Sequence, residues 1–235
     1  NFKELVIINC HHKDFWKKIR LLTNYKLISR KKFITDINFI TVNILVRIKI
    51  NYISLGGNCA IAYQLNKLEL RNESYPFDWC KINISKLNKV LENNFEEFNN
   101  IEIVKFSKNH ELENNSEIGS YIVKNKYNIT FAHEIESDNK EELYKFKETL
   151  ERRINRFKNL NTQNLVFVIL DVEKKNEIDK LLTNLFKYFI DFKLLYIGMH
   201  NINETKNIKC IKLDIDNWID WKYSNLDWDK IFKKF

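Results

Sequence analysis

Between Ser137 and Leu160 the apolar residues Leu143, Phe146, Leu150, Ile154, Phe157 and Leu160 recur every three or four positions among charged neighbours. That period predicts a helix with one buried stripe, and Asp138 followed by Glu141 offers a capping box at its start. The same spacing predicts a helix over Lys175–Ile190, with Ile178, Leu181, Leu182, Leu185 and Phe189 inward. A third is predicted over Ser85–Phe98, with Leu87, Val90, Leu91, Phe95 and Phe98 inward. Short runs rich in β-branched and aromatic residues predict strands at Leu5–Asn9, Ile37–Ile48, Tyr52–Leu55, Ile101–Phe106, Ser120–Val123, Ile129–Ala132, Leu165–Leu170, Leu194–Ile197 and Ile208–Leu213.

The pattern divides best near residue 48. Residues 1–48 read as strand, helix and strand, and residues 49–235 as the main domain. Asn9-Cys10 and Asn58-Cys59 occupy matching places after a strand and before a helix, a faint echo between the two parts. The C-terminal stretch "DNWIDWKYSNLDWDKIFKKF" is expected to dock its tryptophans onto the core.

Composition narrows the possibilities further. The chain has 235 residues, 44% of them hydrophobic, with 17 Phe, 10 Tyr and 5 Trp, ample for a packed core. The apolar runs are of strand length and too short to cross a bilayer, so no membrane is expected. No signal peptide is visible, and the chain opens without an initiator Met, as a piece of a longer protein would. The net charge of +8 is dispersed, and the densest basic patch, Arg30–Lys32, lacks interleaved aromatics. A solvated Lys-rich surface explains it, and no specific nucleic-acid partner is expected. The cysteines at 10, 59, 80 and 210 form no CxxC pair. No metal site and no cofactor are therefore expected, and reduced thiols point to an intracellular compartment.

Candidate chemistry concentrates in "NYISLGGNCAIAYQLNKLELRNESYPFDW", Asn51 to Trp79, which holds two of the four glycines and the only proline. "YISL" reads as a buried strand and "CAIAYQLNKL" as a helix, with Gly56-Gly57 supplying the turn between them. Asn58 is suited to cap that helix, placing Cys59 in its first turn, where unpaired N–H groups and the macrodipole favour an anion. A thiol so placed is expected to have a depressed pKa and to act as a nucleophile, given a base on another element. His133, ending the strand in "NITFAHEI", is the preferred base. His11 and His12 lie too close to Cys10 to form a cross-element pair, while His110 and His200 read as surface residues. Asp171 is the preferred group to orient the imidazole, with Glu134 and Asp78 as alternatives that spacing cannot separate. "SYPFDW" reads as the turn after the cysteine helix, stiffened by Pro76, anchored by Phe77 and Trp79, with Asp78 bonding to backbone amides.

The motifs Ser54-Leu55-Gly56, Asn58-Cys59, Ala62-Tyr63-Gln64-Leu65 and Ser74-Tyr75-Pro76-Phe77-Asp78-Trp79 resemble the signature of a papain-like cysteine peptidase family. This is a domain of unknown function from bacteria and large DNA viruses. The likeness continues through "FEEF", "FAHEI", "RRINRFKNL" and "LVFVIL", covering roughly residues 50 to 170. It implies an α+β, papain-like fold, with the catalytic cysteine at a helix N-terminus packed on a mixed or antiparallel sheet that bears the histidine. It implies Cys59 as nucleophile and His133 as its partner, acting on a peptide or other acyl substrate. If the chain is viral, its place would be the host cytoplasm. Two departures stand out: Glu134 follows the histidine where Asp is common, and no Gln precedes Cys59 to build an oxyanion hole. The Cys59 N–H, helped by Gly57 and Asn58, would have to serve. Residues 6–22 also resemble the opening of a capsule-biosynthesis acyltransferase family. That leaves an acyltransferase or glycan-modifying enzyme as one alternative, and a non-catalytic binding module as another.

Overall fold

The computed structural model describes residues 5–9, 25–34, 39–47, 50–108, 119–160, 164–172, 177–213 and 220–234, with side chains in 50–104, 121–160, 164–172, 177–213 and 220–234. The chain divides into two compact units, residues 1–50 with 232–235, and residues 51–231.

In the first unit β1 (Leu5–Asn9), β2 (Tyr25–Ile34) and β3 (Phe39–Arg47) form an antiparallel sheet in the order β1-β3-β2. Strand β2 was not expected from the sequence, and the basic run Arg30–Lys32 lies inside it. A register shift between Leu27 and Ser29 breaks the two-residue alternation, and this hides the strand from periodicity. The helix expected after Asn9, with Cys10, His11 and His12, lies outside the described residues, as do His110 and Trp218.

The second unit is built on two sheets, a mixed α+β arrangement. Strands β4 (Asn51–Ser54), β9 (Leu165–Asp171), β10 (Lys193–Gly198) and β11 (Ile208–Lys212) form a parallel sheet in the order β11-β10-β9-β4. Every residue of β9 is buried, which explains why its sequence is a continuous apolar run rather than an alternating one. Strands β5 (Cys80–Lys81), β6 (Ile101–Lys108), β7 (Gly119–Asn125) and β8 (Thr130–Phe131) form an antiparallel sheet in the order β5-β8-β7-β6.

Helix α1 (Ala60–Lys67) follows β4 and packs on β4 and β9 of the parallel sheet. Helix α2 (Ile84–Glu92) is capped by Asn83, whose side chain accepts from the Lys86 N–H, and it stops six residues short of the expected Phe98. Beyond it Asn94, Phe95 and Glu97 take left-handed dihedrals, yet Phe95 and Phe98 are still buried. Helix α3 (Lys140–Lys158) has its capping box one residue later than expected. Asn139 Oδ1 accepts the Glu142 N–H at 2.7 Å, and Glu142 reaches back to the N–H groups of Glu136 and Ser137. Helix α4 (Ile178–Phe186) packs against α2. The short α5 (Trp228–Phe232) buries Trp228, whereas Trp221 stays partly exposed.

An aromatic cluster ties these parts together. Phe77, from the turn after α1, lies 5.5 Å from Phe95, 5.6 Å from Phe98 and 5.7 Å from Phe157. Phe157 in turn meets Phe167 of β9 at 5.9 Å. Phe77 therefore anchors the "SYPFDW" turn as expected, but Trp79 does not. That indole is half-buried at a left-handed backbone position, with the Arg71 guanidinium 5.4 Å above its ring.

Candidate active site

The loop joining β4 to α1 is held from two sides. The Leu170 N–H at the end of β9 donates to the Gly56 carbonyl, and the Ile82 N–H donates to the Gly57 carbonyl, both at 3.2 Å. Both glycines have positive φ, 88° and 107°. A Cβ on Gly56 would lie 2.3 Å from Ile82 Cγ2, and one on Gly57 only 2.1 Å from the Leu170 carbonyl oxygen. The double glycine is thus required by backbone conformation and by close approach together. It delivers Asn58 and Cys59 to the carboxyl end of the parallel sheet, the edge where open α/β sheets leave a crevice.

Regular helix begins at Ala60, and Cys59 just before it already has helical dihedrals. Asn58 Oδ1 accepts the Ala60 N–H at 2.8 Å, and the Cys59 carbonyl accepts the Tyr63 N–H at 3.0 Å. Cys59 is half-buried, and its thiol is in no disulfide. The expected depression of its pKa is overturned. Burial, and then the Glu134 carboxylate, push the thiol up to about 11, against the weaker opposing pull of its own N–H. The helix is only eight residues long, and the Ala60 N–H is taken by Asn58. Desolvation of the anion therefore outweighs the helix terminus. Cys80, fully buried, donates its thiol to the Phe77 carbonyl at 3.3 Å, and burial pushes its pKa well up.

His133 is exposed, two residues past β8, and makes no hydrogen bond among the described residues. It follows a strand of the antiparallel sheet, whereas α1 packs on the parallel one. The resemblance implied that one sheet would serve both, and that point is corrected. The residue beside it is tightly held. Arg153 of α3 grips Glu134 through two nitrogens, at 2.7 and 3.3 Å, with both side chains largely buried. Arg153 Nε is buried without a partner. Glu134 is thus the carboxylate whose charge reaches Cys59. Its pairing with Arg153 was not readable from sequence, because helical spacing marks Arg153 only as a charged residue beside the apolar stripe.

Asp171 ends β9, one residue beyond the Leu170 carbonyl that faces Gly57. It is buried, and its Oδ2 accepts the Tyr196 hydroxyl at 3.0 Å. His200 is half-buried, its N–H donating to the same hydroxyl at 3.3 Å. Asp78 does bond to a backbone amide, accepting the Tyr75 N–H at 2.9 Å, and it pairs with Arg71 at 2.8 Å. Burial raises its pKa while Arg71 pulls it back. Asp78 so fastens the Arg71–Asp78 turn onto itself. Among the described residues no group of three or more His, Cys, Asp and Glu could hold a metal, and no helix is long and apolar enough to cross a membrane.

A thiol ionising near 11 leaves about 10⁻⁴ of the sulfur as thiolate at pH 7. Alkylation of Cys59 by iodoacetamide, followed by mass spectrometry, is expected to speed up about tenfold per pH unit from 7 towards 10 without levelling. Glu134→Gln removes a charge that disfavours the thiolate and should move the whole profile to lower pH. A plateau already reached by pH 8 in the wild-type chain would contradict this electrostatic picture.

A loop–helix cysteine at the edge of a mixed α+β unit is the class of site defined so far, and comparison with known proteins gives the family. Residues 50–201 match the family described as "Putative papain-like cysteine peptidase (DUF1796)". The chain belongs to that family. It is also 31% identical over 214 residues to "Uncharacterized protein R408" of Acanthamoeba polyphaga mimivirus, an alignment covering 77% of this chain and 96% of that protein. No solved structure matches it.

Proposed function

We propose that this protein is a cysteine-dependent hydrolase of peptide or related acyl bonds, with Cys59 as its nucleophile. The observation that carries the reading is the placement of Cys59. It is half-exposed at the head of α1, directly after a glycine turn that admits no side chain, in a chain of the papain-like peptidase family. The sulfur attacks the substrate carbonyl while its proton passes to His133. The imidazolium returns that proton to the leaving group, and water then cleaves the thioester. The Cys59 N–H and Asn58 Nδ2, whose amide oxygen already caps Ala60, are the donors assigned to the oxyanion. Asp171 is assigned to the imidazolium. Gly57 keeps the loop against β9, and Asp78 holds the following turn.

In the resting protein the thiol is protonated and His133 stands exposed. This reading therefore makes proton transfer part of the attack, with the imidazole meeting the sulfur only in the substrate complex. Glu134, fixed by Arg153, anchors the segment that carries His133. The same raised pKa favours a second reading, a non-catalytic member that keeps the fold as a binding module.

A peptidyl electrophile that fills the site separates the two. It is expected to label Cys59 at neutral pH, to leave Cys59→Ala unlabelled, and to react at least tenfold more slowly with His133→Ala. Small-molecule alkylation at high pH should be the same in His133→Ala and the wild type. Labelling that persists unchanged in Cys59→Ala would remove the catalytic reading.

A further inference from the structure

The division into two units changes how the net charge reads. Of the 39 basic and 31 acidic residues, 13 and 3 belong to residues 1–50 and 232–235, a net +10. The remaining 26 and 28 leave residues 51–231 at −2. The whole excess therefore sits in the smaller unit, which the family match reaches only at residue 50. Pairing in the β1-β3-β2 sheet puts part of that charge in order. Residues opposite one another on paired strands share a face. Tyr25, Leu27, Arg30 and Lys32 of β2 stand opposite Arg47, Leu45, Asn43 and Thr41 of β3, and Ile34 stands opposite Phe39. These β3 positions alternate by two, so all five pairs fall on one face, with Val6 and Ile8 of β1 beside them. The other face has Ile40, Val42, Ile44 and Val46 of β3 in an unbroken apolar row next to Leu5 and Ile7 of β1. Lys26 and Lys31 fall on that face too, both on the edge strand β2. An antiparallel sheet turns its apolar face to a core and leaves the other to solvent or a partner. Lys13, Lys17, Lys18 and Arg20 lie outside the described residues and enter only through the unit's charge.

We propose that the sheet face carrying Tyr25, Arg30, Lys32, Phe39 and Arg47 binds single-stranded nucleic acid without regard to sequence. Binding there asks nothing of Cys59. Charge calls for a polyanion, and counterion release from a chain of phosphates favours a unit of +10. The order of residues then separates one polyanion from another. Along the face come the pair Ile34–Phe39, the cationic pairs Lys32–Thr41 and Arg30–Asn43, the pair Leu27–Leu45, and the pair Tyr25–Arg47. Cations, an amide and rings thus interleave on one surface. Phosphates and flat bases interleave in the same way along an unpaired strand, whose bases stack on aromatic rings while Lys and Arg track the backbone. A lipid surface instead takes up elements whose apolar and basic residues are segregated to opposite faces. A sulfated polysaccharide offers no flat base to Tyr25 or Phe39. From Phe39 to Arg47 the face is about 26 Å long at roughly 3.3 Å per residue. Single-strand sites begin at about four nucleotides, which such a length accommodates.

The test measures fluorescence anisotropy with the full chain between about 50 and 200 mM salt. The probes are labelled oligothymidylate and oligouridylate of about 20 nucleotides, an abasic oligomer with the same phosphates, and phosphatidylserine vesicles. At least one of the two base-bearing strands is expected to bind at least tenfold more tightly than the abasic oligomer, because stacking adds to charge. Its log–log salt slope should be about −2 or steeper, from phosphates met by Arg30, Lys32 and Arg47 at roughly 0.7 each. Arg30→Gln with Lys32→Gln should make that slope shallower by about 1.4. Tyr25→Leu and Phe39→Leu keep the bulk and lose the ring. Each should weaken the base-bearing strand about tenfold while leaving the slope and the abasic oligomer unchanged. Lys140→Gln with Lys206→Gln, two exposed lysines of the other unit, should change nothing. Equal affinity for the abasic oligomer, absence of binding, preference for the vesicles, or indifference to the ring variants would overturn this face as the site. The abasic comparison uses the unaltered chain, so it decides even where a variant fails to fold.

Discussion

Replacing Arg153 by methionine is expected to lower the stability of the protein by about 3 kcal/mol, read from the urea midpoint at constant slope. Arg153 is 8% exposed, and its partner Glu134 sits at 2.7 Å in a largely dry position. Removing the cation strands a carboxylate that cannot be rehydrated where it stands, and breaking a buried pair from one side typically costs about 3–5 kcal/mol. The lower end applies because both side chains keep a little water contact, and because Arg153 Nε already lacks a partner in the intact protein. Removing both charges at once is different. Arg153→Met with Glu134→Leu should return to within about 1 kcal/mol of the wild type, since two desolvation penalties vanish with the attraction. A single variant as stable as the parent would mean that the pair is solvated in solution. The segment carrying His133 would then lose its anchor.

Gly57→Ala is expected to be nearly as damaging, by about 3 kcal/mol, and to slow modification of Cys59 as well. Two effects add. At φ 107° an L side chain is strained by about 1–3 kcal/mol. The new methyl also points at backbone, with Leu170 O at 2.1 Å, Leu170 Cβ at 2.8 Å and Leu170 C at 2.9 Å. Leu170 belongs to a buried strand, paired there with Ile197 of β10, and its N–H is bonded to the Gly56 carbonyl, so it cannot retreat. The loop must move instead, and Asn58 and Cys59 move with it. Gly56→Ala meets Ile82 Cγ2, the end of a side chain, and should cost less. Urea denaturation of the two variants gives the order directly. Gly57→Ala within about 1 kcal/mol of the parent would show that the loop is not clamped against β9 in solution.

These two sites differ in how far they could be read beforehand. The Gly56-Gly57 turn, the strand before it and the helix after it were legible because each depends on near neighbours: apolar spacing, turn residues and a capping amide. The same holds for β9 and α3. Failures came where local pattern and backbone disagree. Strand β2 is hidden by its register shift, and α2 stops early because Asn94, Phe95 and Glu97 turn left-handed while the apolar spacing runs on. Trp79 was read as a core anchor because its neighbours are, but only the folded turn shows Arg71 lying over it.

The amino-acid sequence by itself determined the family, the strand–turn–helix that presents Cys59, and most of the secondary structure, since these rest on interactions spanning a few residues. The tertiary structure decided the state of the site. Burial by the surrounding core and a carboxylate 75 positions away raise the thiol's pKa. Asp171 is engaged by Tyr196, and His133 is carried on the second sheet. Desolvation and charge act through space, so no window along the chain could contain them.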